Sequence, residues 1–82
     1  PHITKEQLST IKAPVLVMSG DRDVIRLSHI IEIFRAIPKS QLCVMPGSTH
    51  GALRQNAAVF NDILYKFFSQ PFKMPDTLDN YR

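Results

Sequence analysis

Pro14-Val15-Leu16-Val17-Met18-Ser19-Gly20-Asp21-Arg22-Asp23 is the stretch that decides how this chain folds. A proline follows a polar run, four apolar residues come next, and Ser-Gly-Asp closes the run as a turn signal. A short unbroken apolar run of this kind predicts a strand covered on both faces, as in parallel sheets. The residues just past the carboxyl end of such a strand are where open α/β sheets place their chemistry. Here they are Asp21 and Asp23. The pattern returns in Gln41-Leu42-Cys43-Val44-Met45, followed by Pro46-Gly47-Ser48-Thr49-His50-Gly51. One strand therefore ends in a carboxylate and the next in a histidine. If the strands are parallel neighbours, both loops leave the same edge of the sheet.

Working outward, Thr4-Lys5-Glu6-Gln7 has the spacing of a capping box, with Ile3 and Leu8 as its hydrophobic staple. The spacing predicts a short helix over about residues 5–11, with Lys12 near its end and Pro14 forcing the chain out of helical geometry. Between the strands, Ser28 is the expected N-cap of a helix running to about Ile37. Ile30, Ile31, Phe34 and Ile37 give it one apolar face. The third helix is expected over about residues 56–69. Leu53, Ala57, Phe60, Leu64 and Phe67 form its stripe, widened by Ile63 and Phe68, and core packing explains all of them. Pro71 ends it, and residues 70–82 read as an irregular tail. The expected fold class is α/β, two parallel strands with flanking helices in the order α-β-α-β-α, joined by a right-handed crossover.

With 82 residues the chain is at most one small domain, and its 44% hydrophobic and 21% charged content is that of an ordinary globular protein. Net charge is +3 and the sequence pI about 9.4. The ten basic residues are scattered singly and form no stripe, so no nucleic-acid partner is expected. The single cysteine, Cys43, excludes an internal disulfide and reads as a buried thiol within the second strand. No segment has the length to span a membrane, and the expected location is cytoplasmic. The chain opens at Pro1 rather than at a methionine, which reads as a cleavage boundary and says little about a longer parent.

A carboxylate bonded to a histidine fixes the tautomer of the imidazole and stabilises its charged form, so that the ring can serve as general base and then general acid. The 27 residues from Asp23 to His50 suit one crossover helix plus one strand. Asp21 is the rival carboxylate, although directly after Gly20 it fits better as a turn-shaping side chain. Asp21-x-Asp23 also matches the start of a calcium loop, but Ile25 and the missing downstream glutamate argue against it. No metal and no cofactor are expected. His2 and His29 read as solvated, Arg22 as a solvent-facing side chain near the site, and Ser19, Ser28 and Ser48 as a turn, a cap and a loop residue.

The run Ile11 to Asp23, followed by Ile37-Pro38, Leu42, Met45-Pro46-Gly47 and His50-Gly51, resembles the carboxyl-terminal part of an α/β-hydrolase. In that family I-x-x-P-V-L-V-x-x-G-x-x-D carries the triad acid and P-x-x-x-H the triad histidine. The resemblance spans about residues 4–68 and implies that Asp23 is the acid and His50 the base. It further implies that residues 1–69 are the carboxyl-terminal segment of a hydrolase domain. Such a parent would cleave an ester, amide or similar bond in a small molecule. The family's nucleophile elbow, G-x-S-x-G, is absent, since Gly47-Ser48-Thr49-His50-Gly51 has threonine at its centre. The chain alone is therefore expected to be inactive. The alternatives are a binding or receptor-like protein on the same fold, or an oligomerising fragment. The bare edge of the first strand predicts a homodimer.

Overall fold

The computed structural model describes residues 3–51, 54 and 56–75. Among these, five elements follow one another: α1 (Lys5–Leu8), β1 (Val15–Gly20), α2 (Leu27–Ala36), β2 (Ser40–Met45) and α3 (Ala57–Ser69). β1 and β2 pair in parallel to make a two-stranded sheet, in a register that sets Val15 beside Ser40, Met18 beside Cys43 and Gly20 beside Met45. The expected α/β arrangement and its element order are those of the structure. Residues 76–82, the end of the expected tail, lie outside the described residues, as does Leu53 of the expected stripe.

The parallel register has a simple consequence: the chain leaves both strands on the same side of the sheet. α2 makes the crossover and packs against both strands, with Ile30 and Ile37 buried. Met45 and Phe60 form the centre of a small apolar cluster, with Met18, Cys43 and Ile63 packed against it. Met18 and Cys43 are register partners, so α3 covers the face of the sheet that carries them. Alternation turns Val17 and Leu42 to the other face.

Several boundaries differ from the sequence reading, each for a local reason. α1 stops at Leu8 rather than near Ile11. Its capping box forms as expected: Gln7 N–H donates to Thr4 Oγ1 at 3.1 Å and Thr4 N–H to Gln7 Oε1 at 2.8 Å. The hydroxyls of Ser9 and Thr10 then donate to the carbonyls of Glu6 and Gln7, both at 2.6 Å. The amides of Thr10 and Ile11 fall back on carbonyls three residues earlier. Side-chain competition of this kind ends a helix, and it leaves Lys12 outside.

α2 begins two residues earlier than Ser28 would allow as a cap. Arg26, in extended geometry, occupies the N-cap without a side-chain bond. Its carbonyl accepts from the His29 and Ile30 amides. Ser28 therefore sits inside the first turn. The reason lies upstream: the Ile25 amide donates to Asp23 Oδ1 at 3.0 Å, an Asx-type turn that shortens the loop.

The strands are covered only in part, short of the full burial that the apolar runs predict. Val15 to Met18 and Gln41 to Val44 are half-buried. With two strands and one helix laid on each face there is not enough neighbouring surface to bury them. The outer edge of β1 has no strand partner among the described residues. In α3 the stripe holds for Phe60, Ile63, Leu64 and Phe67, but Ala57 and Phe68 are exposed. Phe68 packs edge-to-face with Phe67, with ring centroids 5.3 Å apart. The start of the tail is irregular as expected, and it folds back: Gln41 Nε2 donates to the Lys73 carbonyl at 2.8 Å. Among the described residues no helix is long and apolar enough to cross a membrane.

Candidate functional site

The two loops at the carboxyl ends of the strands are stitched together by their backbones. The Asp21 amide donates to the Met45 carbonyl at 3.0 Å, and the Arg22 amide to the Ser48 carbonyl at 2.8 Å. In return the Ser48 amide donates to Asp21 Oδ1 at 3.1 Å. This closeness depends on Gly20. A Cβ built there would collide with the carbonyl of Ser48 and lie 2.7 Å from that of Thr49, a contact that backbone cannot yield without moving the loop. Gly47 supplies the bend on the other side, with φ of 59°, the left-handed region that side chains resist.

These constraints bring Asp23 and His50 together across 27 residues. His50 Nδ1 stands 3.0 Å from Asp23 Oδ1 and 3.2 Å from Oδ2. The two partners differ sharply in exposure: the Asp23 side chain is 8% exposed and that of His50 69%. Asp23 is also held by the Ile25 amide and, at 3.4 Å, by the Ser19 hydroxyl donating to Oδ2. The Ile25 amide, then the bond and charge of His50 and the Ser19 hydroxyl, pull its carboxyl below the ordinary value of 3.8 against an opposing effect of burial. Asp23 is thus ionised near neutrality and can only accept. It follows that Nδ1 carries the hydrogen in neutral His50, and Nε2 bears the lone pair. Among the described residues no group bonds Nε2.

Asp21 does more than shape its own turn, which corrects the sequence reading of it. The amide of Gly47, followed by those of Ser48 and the effect of Arg22, lowers its carboxyl below 3.8, again against burial. It serves as the clasp between loops, while Asp23 serves the imidazole.

Ser19, Ser48 and Asn56 belong to the site's frame although none carries a sequence signal for it. Ser48 is fully buried. Its hydroxyl donates to the Pro46 carbonyl at 3.1 Å and accepts from Asn56 Nδ2 at 2.6 Å. Asn56 is the N-cap residue of α3, yet its side chain makes no cap bond, because it is spent on Ser48. In this way the start of α3 is tied to the loop that carries His50. Neither Ser19 nor Ser48 is bonded to the imidazole, and both hydroxyls are committed elsewhere. Ser28 lies exposed in α2 and His29 faces Glu32, 3.9 Å away, on the same helix. Neither belongs to the site.

Beside the pair lies a cleft of about 320 Å³ lined by Met18, Ser19, Gly20, Asp23, His50, Phe60 and Leu64. Its lining combines apolar Met18, Phe60 and Leu64 with polar Ser19, Asp23 and His50, the usual make-up of a small-molecule site. A larger groove of about 630 Å³ between α1 and α2 is lined by Lys5, Glu6, Ser9, Glu32, Arg35 and Ala36. We assign it no chemistry, because its charges are mixed in sign and solvated. Among the described residues no cluster of three or more His, Cys, Asp or Glu side chains could hold a metal ion. No family model matches the chain, and no match was found among curated proteins.

What the arrangement can do is bounded by its parts. An imidazole fixed through Nδ1 by an ionised carboxylate keeps the Nε2 lone pair free to take a proton, and the carboxylate faces the imidazolium that forms.

Proposed function

We propose that this chain is the acid–base part of a serine-type α/β-hydrolase, with Asp23 the acid and His50 the base, acting on an ester, amide or similar bond in a small molecule. The observation that carries the reading is the geometry at His50: Nδ1 within 3.0 and 3.2 Å of the two oxygens of a shielded carboxylate, on a side chain that is 69% exposed and lines the cleft. A serine from outside this sequence attacks the substrate carbonyl while its proton passes to Nε2. The imidazolium then returns that proton to the leaving group, whose bond to the carbonyl breaks. Water, activated by the same Nε2, releases the acyl group from the serine. Asp23 holds the ring in the required tautomer throughout and stays ionised.

The test is hydrolysis of a p-nitrophenyl ester by the parent protein that this reading requires. His50→Gln or Asp23→Asn should each lower kcat by about 10⁴-fold, the usual effect of losing one triad member. Turnover unaffected by either change rejects the assignment. A parent that binds ligands at the cleft without turning them over would be a binding protein on this scaffold.

The same reading accounts for the bare outer edge of β1, where a further strand would pair. For the 82-residue chain alone we infer that a second copy takes that place. Sedimentation velocity at micromolar concentration should then report twice the 9.3 kDa of one chain. A single species of 9.3 kDa rejects the dimer.

A further inference from the structure

We propose that Asp21 is a positioning residue for the Asp23–His50 pair, holding the loop on which His50 rides through the buried Ser48 amide. The inference rests on the functional reading of that pair given above. Ser48 is 0% exposed, so each of its polar groups needs a partner within the protein. Its carbonyl takes the Arg22 amide at 2.8 Å. Its hydroxyl is shared between the Pro46 carbonyl and Asn56 Nδ2. Its amide has Asp21 Oδ1 at 3.1 Å, and this last partner is a side chain 27 residues away. Ser48 is thereby gripped at both ends of its backbone by two consecutive residues of the β1 loop. Asp21 belongs to the same short turn as Asp23, so the clasp fixes the His50 loop directly against the carboxylate that His50 must meet.

The physical consequence of losing the clasp is specific. A buried amide without an acceptor costs the full loss of its hydration, and the loop must lift to let water reach it. His50 is two residues beyond Ser48. Its bonds to Asp23, at 3.0 and 3.2 Å, have little slack before they fall outside hydrogen-bonding range. A displacement of about 1 Å separates the ring from the carboxylate, a scale at which positioning losses in catalysis become large. The charged groups close to Asp21 and Asp23 are Arg22 and His50. Asp21→Ala removes neither of these groups, so a change at His50 reports the clasp and not a lost charge beside the pair.

The experiment follows two signals in the same sample by NMR: hydrogen exchange of the Ser48 amide, and the fraction of His50 in the Nδ1–H tautomer, read from its ring nitrogens at a pH where the ring is neutral. A wild-type chain without that tautomer refutes the site reading itself, before any variant is made. In Asp21→Ala the Ser48 amide should exchange at least about tenfold faster and the Nδ1–H fraction should fall at least about twofold, as a lost buried bond implies. Asp21→Asn offers a neutral and weaker acceptor, and both signals should move part of the way. It decides the matter if the alanine variant does not fold. Faster Ser48 exchange with an unchanged tautomer, in either variant, overturns the proposal, because the clasp would then be merely structural. An asparagine variant that changes neither signal also overturns it, since the carboxylate would not be what holds the loop.

Discussion

At the carboxyl ends of β1 and β2, Ser48 is 0% exposed with its amide, carbonyl and hydroxyl all bonded; at the far end of α3, Phe68 leaves 78% of its surface in water. The first region is closed by polar contacts made within the chain. No buried side-chain nitrogen or oxygen among the described residues lacks a partner. The second region is open: Val59, Tyr65 and Phe68 on one helix are all exposed, and the sheet beneath is half-buried. The difference teaches that geometry and stability have separate sources here. The loops that join Asp23 to His50 are set by short-range bonds and by Gly20. The face of the sheet that carries Met18 and Cys43 is held by a cluster centred on two buried side chains, Met45 and Phe60.

The largest effect expected from this contrast is at Phe60. It is 4% exposed, and Phe60→Ala should cost about 4 kcal/mol, the usual result of emptying a buried phenylalanine site. A chain of 82 residues is expected to have roughly 4–12 kcal/mol in all, so the variant should lose at least about a third of its stability. Phe68→Ser, eight residues along the same helix, should change stability by less than about 0.5 kcal/mol. Urea unfolding followed by circular dichroism gives both values. Similar losses at the two positions would mean that Phe68 is covered in solution, and the contrast between closed and open regions would have to be withdrawn.

How far the sequence discloses this depends on the range of each interaction. β1 and β2 are legible because each is an apolar run bounded by proline or glycine. Asp23 and His50 are legible because parallel strands must deliver their carboxyl ends to one edge. The early stop of α1 has a local cause, since Ser9 and Thr10 compete for carbonyls within three residues, yet the apolar spacing of Leu8 and Ile11 hides it. The role of Asp21 is of another kind. Its partner is a backbone amide in a different loop, and any residue at position 48 other than proline would offer that amide. Ser19 and Asn56 are hidden for the same reason: a hydroxyl or amide side chain carries no mark of which buried atom it will meet. Half-buried strands are equally illegible, because an apolar run reports what could be buried and not how much neighbouring surface exists to bury it.

Acid should act on the polar region alone, and so separate it from the apolar one by a smaller effect. Asp21 and Asp23 both have folded-state values below the 3.8 of the free side chain. For each, the unfolded chain binds the proton first as the pH falls. Stability from these two carboxylates is therefore complete above the unfolded value, starts to decline within about one unit above 3.8, and is lost as the pH drops through the lower folded values. Above that window neither residue contributes a slope. Urea midpoints measured from pH 6 down to pH 3 should fall in wild type, and fall less steeply in Asp21→Asn and in Asp23→Asn, since each variant removes one group that must release its bonds on protonation. Phe68→Ser should keep the wild-type slope, because its surroundings hold no carboxylate of the loops. An unchanged slope in both asparagine variants would show that the two loops are not closed by these carboxylates in solution, and the clasp at Ser48 would have to be assigned to backbone bonds alone.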